Sequence, residues 1–212
     1  MNKPIHSEVY KGYTIQIHAD EDPLNPRTDY DCLGTMVCFH KRYDLGDKHT
    51  ISHSDYAGWD EMEEAIRKDL DAVVVLPLYL YDHGGITMST GQFSCRWDSG
   101  QVGFIYATRE KVFKEFGRKD LAKAIERATK VLEGEVETYD HYLRGDVYGY
   151  TLYAPGDEDL DDSIESCWGY LGDYDDKDYG ALSEAKSLVD NILARELEAR
   201  MKSSLAMTGM EE

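Results

Sequence analysis

The sequence predicts an α+β fold with a mostly antiparallel sheet of five to seven strands and about three helices packed on it. Strand-like and helix-like segments alternate irregularly, without the βαβ rhythm that builds a parallel sheet. No repeat of 20–50 residues is present, which excludes solenoids and propellers. We expect residues 1–202 to form a single domain and residues 203–212 to form a frayed C-terminal tail.

Strand predictions rest on alternating or near-continuous apolar runs. Six segments carry such runs: 8–18, 33–40, 72–81, 102–107, 147–154 and 164–172. The run AVVVLPLYLY at 72–81 is typical of a central strand or of one passing between two layers. Pro77 lacks an N–H donor, so it predicts an edge, a bulge or a break at that position. The last two segments bracket an acidic loop and predict an antiparallel hairpin.

Helix predictions rest on apolar residues spaced three and four apart. Three segments show this spacing: 59–70, 120–143 and 183–202. In the longest segment we expect Leu121, Ala128, Leu132 and Val136 to face the core, and Gly134 weakens the helix signal there. Thr108 and Ser183 are the expected N-caps of a short helix at 109 and of the last helix.

Cysteines and acidic residues give no metal signature. The four cysteines, Cys32, Cys38, Cys95 and Cys167, form no CxxC pair, and we expect them to be reduced and buried. Cys32, Cys38 and His40 could hold zinc, but the cysteine spacing does not match that of zinc sites. Asp157, Asp159 and Asp161 superficially resemble a calcium loop, but the glycine and glutamate that such a loop needs are missing. We therefore predict neither metal nor cofactor.

The net charge is the main functional clue. The 212 residues include 42 Asp and Glu against 23 Lys and Arg, a formal net charge of −19. A surface this negative repels phosphates and argues against nucleic acid as a direct ligand. The 42% hydrophobic content excludes a disordered acidic chain. No run of 18 apolar residues and no signal-peptide pattern is present, so we expect a cytoplasmic protein without membrane contact.

Residues 155–180 concentrate this charge, with ten acidic residues and Lys177 as the one base. Like charges at this density repel one another and are not needed for folding. We interpret the segment as a partner-binding surface that imitates nucleic-acid phosphates, with a solvated, solubilising hairpin as the alternative. The candidate binding residues are Asp157, Glu158, Asp159, Asp161, Asp162, Asp173, Asp175, Asp176, Asp178, Tyr174 and Tyr179.

A basic stripe runs along the predicted long helix. Lys119, Lys123, Arg127 and Lys130 point away from the expected core direction. Basic residues near a helix start oppose the macrodipole preference, so helix stability alone does not explain them. The stripe is a candidate for pairing with the protein's own acidic segment, within the monomer or across a dimer, and an ordinary solvated helix face is the alternative.

Residues 82–100 hold the residue types of an acid–base or nucleophilic site. Asp82 and His83 precede two glycines, and Cys95 and Asp98 follow on the same loop. A Cys95–His83 pair oriented by Asp98 is conceivable, although no catalytic signature matches and the loop lacks a phosphate-binding GxxxxGK. A hydrogen-bonded turn structure without activity is the alternative.

Four sequence blocks resemble an uncharacterised family of phage and mobile-element proteins: LGTMVCFHKRYDLGDKH, LPLYLYDHGGITMSTGQFSCRWDSGQVGFIY, YLRGDVYGY and SCWGYLGD. The resemblance extends from about Tyr10 to Ala185. It implies an accessory gene product, and because that family has no established activity it implies no residue roles. Such genes often act against host defence, and several unrelated antirestriction and anti-CRISPR proteins are acidic surrogates for DNA.

These observations lead to one main hypothesis and two alternatives. We expect a non-enzymatic phage protein that inhibits a basic host protein, such as a nuclease, restriction or CRISPR effector subunit, by acting as an acidic DNA mimic. The first alternative is a small enzyme or ligand-binding domain that uses Asp82, His83, Cys95 and Asp98. The second is a self-assembling accessory protein, for which a homodimer is the simplest form.

Overall fold

The structure is a computed structural model that describes residues 3–157, 159–160 and 162–208. Its strands are β1 (His6–Tyr10), β2 (Tyr13–Ala19), β3 (Thr35–Cys38), β4 (Ala72–Asp82), β5 (Ile86–Ser89), β6 (Ser99–Thr108), β7 (Val147–Tyr153) and β8 (Ser163–Leu171). Its α-helices are α1 (Pro26–Asp29), α2 (Trp59–Asp69), α3 (Arg109–Phe116), α4 (Leu121–Arg144) and α5 (Ala181–Thr208), with a 3-10 turn at His53–Asp55. No helix in these described ranges is both long enough and apolar enough to cross a membrane.

The chain divides into two compact units, each with its own antiparallel four-stranded sheet. The terminal unit comprises residues 1–23 and 145–212, and the central unit comprises residues 24–144. The α+β class is therefore confirmed. The prediction of one sheet with five to seven strands is wrong, because the eight strands of the described residues divide equally between two sheets. The described residues contain five α-helices where about three were expected: the short α3 follows Thr108 as expected, and the four-residue α1 was not predicted.

The terminal unit packs α5 onto a sheet of order β1-β2-β7-β8. Ile15, Ile17 and Leu152 from the sheet are fully buried against Ala185 and Val189 of the helix. Burying each of the larger side chains contributes about 1.5–3 kcal/mol, so this contact stabilises the unit.

Two local predictions fail in the terminal unit. Residues 8–18 form a hairpin, not one strand, because Lys11 (φ 49°) and Gly12 (φ 89°) adopt the left-handed conformations of a two-residue turn. Ser183 lies inside α5, where its hydroxyl donates to the Lys177 carbonyl at 2.6 Å instead of capping the helix. The helix continues through Thr208, and residues 209–212 of the expected tail lie outside the described residues.

The central unit has a sheet of order β3-β6-β4-β5 with helices on both faces. On one face, Leu78 and Ile105 pack with residues of α3 and α4, and on the other Phe104 packs with Met62 and Ile66 of α2. Strand β4 therefore passes between two helical layers, as its continuous apolar sequence predicts.

Pro77 lies in β4 outside the stretch that pairs with β5. Strand β4 pairs with β6 along most of its length, but it pairs with β5 only from Tyr79 to Asp82. On the β5 side, Pro77 is thus in an edge position, which confirms one of the three expected explanations.

Helix α4 buries a stripe formed by Ala124, Ala128, Leu132, Val136 and Tyr139. Ala128, Leu132 and Val136 were predicted core residues, whereas Leu121 is 36% exposed because the helix only begins there. The cap prediction at Thr108 is confirmed, since its side chain accepts from the Lys111 N–H and α3 follows.

Candidate functional sites

Three of the four candidate residues on the 82–100 loop meet at one carboxylate oxygen. His83 Nδ1 lies 3.2 Å from Asp98 Oδ2, and the Cys95 thiol donates to the same oxygen at 3.6 Å. The short spacing between Cys95 and Asp98 and the antiparallel pairing of β4 with β6 bring these groups together. His83, Cys95 and Asp98 therefore lie close together, although the described residues show no direct Cys95–His83 pair of the kind that the sequence suggested.

Asp82 belongs to the same region but has different partners. Its backbone N–H donates to the Asp98 carbonyl at 2.8 Å, which links β4 to the loop. Its carboxylate forms an ion pair with Arg42 and accepts from the Tyr43 hydroxyl at 3.4 Å. Sequence reasoning missed Arg42 and Tyr43, because they come from a separate loop 40 residues earlier.

Aromatic packing and one hydroxyl hold the loop in place. The His83 ring stacks on Tyr81 with centroids 6.0 Å apart, and Tyr81 also contacts Phe93 at 5.7 Å. The Ser99 hydroxyl donates to the Cys95 carbonyl and fixes the turn that carries the thiol. Asp98 is thus an organised hydrogen-bond acceptor, since its partners are themselves held by neighbours.

The cluster contains the residue types of acid–base chemistry, but their contacts differ from those of a cysteine–histidine catalytic pair. Among the residues that the structure describes, no hydrogen bond joins Cys95 to His83, and both groups bind Asp98 instead. A cysteine nucleophile is normally activated by direct contact with an imidazole base. The observed geometry orients His83 and holds the thiol against a carboxylate.

An open cavity of about 380 Å³ lies beside the cluster. Its walls include His40, Arg42, Asp82, Trp97 and Asp98, and the buried side chains of Leu80 and Val102 form part of its lining. All of these residues belong to the central unit. The cavity is therefore lined by charged groups together with an apolar surface from Leu80 and Val102.

The predicted acidic segment forms two loops at opposite ends of strand β8. The first acidic loop is formed by the described residues 154–157, 159–160 and 162, between β7 and β8, and the second acidic loop is residues 172–180, between β8 and α5. Glu158 and Asp161, both candidate binding residues, lie outside the described residues. The segment is therefore not one continuous cluster.

Most described acids in these loops face solvent without a basic neighbour. Asp159, Asp162, Asp173, Asp175 and Asp178 are exposed, and in the described part of the chain no Lys, Arg or His lies within 4 Å of their carboxylates. These five carboxylates are available to a partner.

Two other acids have local structural roles. Asp176 accepts from the backbone N–H groups of Asp178 and Tyr179, and these hydrogen bonds lower the pKa of its carboxyl. Asp157 accepts from the Leu160 N–H at 2.9 Å. Both carboxylates stabilise the backbone of their loops through these hydrogen bonds, so part of the acidic segment has a structural role.

The two candidate tyrosines differ in exposure. Tyr174 is half-buried and packs edge-on against Tyr148 with centroids 5.5 Å apart, whereas the Tyr179 side chain is 85% exposed. Tyr179 thus offers far more surface to a partner.

Charge divides unequally between the two units. The terminal unit has 21 acidic and 7 basic residues, a net charge of −14, and the central unit has 21 acidic and 16 basic residues, a net charge of −5. Together they give the total of −19. Most of the net negative charge therefore belongs to the smaller unit.

The basic residues are exposed, but only Lys123, Arg127 and Lys130 lie on α4, because the helix begins at Leu121, after Lys119. Lys119, Lys123, Arg127 and Lys130 are all solvent-exposed. Lys123 is 3.7 Å from Asp120 and Lys130 is 3.0 Å from Glu126, so two of the four charges already have acidic neighbours. Exposed pairs of this kind contribute about 0.3–0.5 kcal/mol each.

Cys32 and Cys38, considered above as zinc ligands together with His40, have different surroundings. Cys38 is buried, which raises the pKa of its thiol to about 12, and Cys32 donates to the Pro26 carbonyl at 3.3 Å. Within the described ranges, no group of three or more His, Cys, Asp or Glu side chains is arranged to hold a metal ion. Cys167, expected to be buried, is exposed on edge strand β8.

Comparison of the chain with protein-family models, with curated proteins and with solved structures finds no match. Functional inference therefore depends on the charge and geometry of the chain itself.

Proposed function

We propose that the protein inhibits a basic host protein that handles nucleic acids, with the acidic terminal unit occupying the place of phosphates. The observation that supports this most is the charge division, a net charge of −14 on the terminal unit against −5 on the central unit. A concentrated negative field attracts basic clefts over a distance and accelerates association. The resemblance to phage and mobile-element proteins is consistent with a role against host defence.

The length of the acidic surface suits a nucleic-acid groove. Strand β8 has nine residues and spans about 26 Å between the two acidic loops. Duplex DNA carries about 15 phosphate charges over the same length. Residues 155–180 carry nine net negative charges, fewer than DNA but of the same order.

Apolar groups between and beside the loops can add contact area. Ile164 and Trp168 of β8 are 47% and 42% exposed, and Tyr179 in the second acidic loop is more exposed still. Tyr and Trp are the residues that most often contribute strongly to protein interfaces. We infer that charge brings the partner in and that these side chains provide short-range affinity.

An affinity-capture experiment with matched variants tests the proposal. The acidic-loop variant replaces five exposed carboxylates by amides: D159N, D162N, D173N, D175N and D178N. The control variant removes five exposed charges from the central unit: D44N, E64Q, D69N, E133Q and E137Q. Each immobilised protein is exposed to host lysate, then eluted by a salt gradient and, separately, by a short DNA duplex.

The proposal predicts that wild type and the control variant capture the same proteins and release them to the duplex. Retention should fall steeply between about 50 and about 200 mM salt, and the acidic-loop variant should retain little. Capture that the duplex does not displace, or equal capture by the acidic-loop variant, would refute it.

A further inference from the structure

Trp97 is the most exposed large hydrophobic side chain among the described residues. Its side chain is 95% exposed, and it lines the open cavity of the central unit. Tryptophan is buried to a high degree in most proteins, because its large ring gains much from leaving water. A solvated indole beside a polar cavity therefore marks a surface on which a ligand can stack.

Two lining residues, His40 and Arg42, supply hydrogen-bond donors to the cavity. The backbone N–H groups of Arg42 and Tyr43 both donate to His40 Nδ1 at 3.3 Å, so the neutral ring carries its proton on Nε2. The His40 ring stacks on Tyr43 with centroids 4.9 Å apart, which fixes its orientation. Arg42 is 67% exposed and uses only Nη2 on Asp82, so its Nε and Nη1 can also donate.

Two further lining residues, Asp82 and Asp98, supply acceptors. Asp98 binds His83 and Cys95 through Oδ2, and its Oδ1 has no hydrogen-bond partner in the part of the chain that the structure describes. Asp82 Oδ1 accepts only the long 3.4 Å bond from Tyr43 and retains a lone pair for another donor. A ligand in the cavity thus meets donors and acceptors together.

The charges around the cavity select against ions. A cationic ligand would face Arg42, and an anionic ligand would face Asp82 and Asp98 within a unit of net charge −5. Nucleotides carry phosphates, which the same carboxylates repel. A neutral molecule rich in hydroxyl groups avoids both conflicts, because each hydroxyl can donate and accept.

We propose that this cavity binds a neutral carbohydrate ring, stacked on Trp97 and hydrogen-bonded to Arg42, His40, Asp82 and Asp98. The C–H face of a sugar ring packs on an indole, while its equatorial hydroxyls reach outward to polar side chains. The cavity volume of about 380 Å³ is near the lower end for small-molecule sites, which suits one or two rings. The site shares no residue with the acidic loops, so it adds a second binding function to the proposed inhibitor.

Indole NMR signals give a direct test. Trp59, Trp97 and Trp168 each contribute one Nε1–H resonance in the ¹H–¹⁵N spectrum of the labelled protein. Titration with glucose, galactose and N-acetylglucosamine should shift the Trp97 resonance saturably, with a Kd of about 1 mM for at least one sugar. The Trp59 and Trp168 signals should not move.

Variants separate binding from folding. W97A removes an exposed ring, so the spectrum should stay dispersed while saccharide-induced shifts at neighbouring amides disappear. D98N should weaken binding about tenfold, because an amide replaces the carboxylate acceptor. Y30A, which removes another exposed aromatic ring of the central unit, should bind as wild type does.

Two outcomes would overturn the proposal. The first is the absence of any saturable shift of Trp97 with the three sugars up to about 50 mM. The second is a response to guanosine or to arginine methyl ester in the absence of any response to sugars, which would assign the cavity to a nucleobase or to a basic side chain. If D98N fails to fold, W97A still decides the question.

Discussion

Arg27 donates from both Nε and Nη2 to the carboxylate of Asp47, at 3.0 and 2.7 Å. Its side chain is only 1% exposed, and Nη1 also donates to Glu135 at 3.1 Å. Burial alone would lower the pKa of Arg27, but the hydrogen bonds to Asp47 raise it, so the guanidinium stays charged. The contacts of Arg27 with Asp47 and Glu135 link α1 and the chain after β3 to helix α4.

Replacing Arg27 by methionine should destabilise the protein. Asp47 and Glu135 would lose their counter-charge in a largely buried setting, which costs about 3–5 kcal/mol. Arg127, exposed on α4, provides the control, and R127M should change the free energy of unfolding by less than about 0.5 kcal/mol. Urea denaturation followed by circular dichroism measures both. Equal stability of R27M and R127M would show that the buried pair is not a stabilising link.

Two glycines should respond to alanine in opposite directions. A Cβ at Gly103 in β6 would overlap the Val37 carbonyl of β3, whereas a Cβ at Gly134 in α4 meets no atom within 4 Å. G103A should lose about 3 kcal/mol through forced backbone movement, and G134A should gain about 0.5–1 kcal/mol from reduced freedom of the unfolded chain. Thermal melts of the two variants check this. A stable G103A would contradict the close approach of β3 and β6.

Local periodicity predicted elements well, but it could not predict how they assemble. Helix α4 was recognisable because Ala128, Leu132 and Val136 repeat at helical spacing over many turns. The separation into two sheets could not be predicted, because β2 pairs with β7, more than 120 residues later in the chain. No local pattern specifies such a pairing, since both strands carry the same alternation.

The candidate site could be predicted only in part, because local sequence patterns reveal neighbours on one loop but not residues from distant segments. His83, Cys95 and Asp98 lie on one loop, so their meeting required only a hairpin. Arg42 and His40 reach the cavity through the packing of a separate loop, which sequence spacing does not reveal. Nothing in the sequence separates Trp97 from the other aromatic residues, and only its exposure in the structure distinguishes it from them.

Thiol reactivity should rank the cysteines by burial. Cys38 is 9% exposed, and burial with the nearby Asp47 charge raises the pKa of its thiol from an ordinary 9.0 to about 12, which lowers the thiolate fraction about 10³-fold. Cys167 is exposed and should react first with Ellman's reagent. C167S should remove the fast phase, and Cys38 should react only on unfolding. Equal rates at Cys38 and Cys167 would contradict the buried position of Cys38.

Acid should weaken the terminal unit. Partial burial alone would raise the pKa of Glu8, but hydrogen bonds from Lys186 and His6 lower it below its ordinary 4.5, and two backbone N–H groups lower that of Asp176 below 3.8. The unfolded chain therefore binds protons at Glu8 and Asp176 more readily than the folded protein does. The stability that these carboxylates contribute is present above pH 4.5 and is lost as the pH falls through their folded-state pKa values. Melting temperatures between pH 6 and pH 3 measure this, and the double variant E8Q/D176N should show a shallower decline. An unchanged decline would mean that other groups control it.

Competition for a nucleic-acid groove is the central claim, and inhibition of DNA binding tests it most directly. The measurement uses the captured host protein that a DNA duplex releases, and follows its binding to labelled duplex at increasing concentrations of the inhibitor. The account predicts that the apparent Kd for DNA rises in proportion to inhibitor concentration, with the maximum signal unchanged. It also predicts that the five-site acidic-loop variant is at least about tenfold less effective than the central-unit control. DNA binding that is unaffected by the protein, or equally inhibited by both variants, would contradict it.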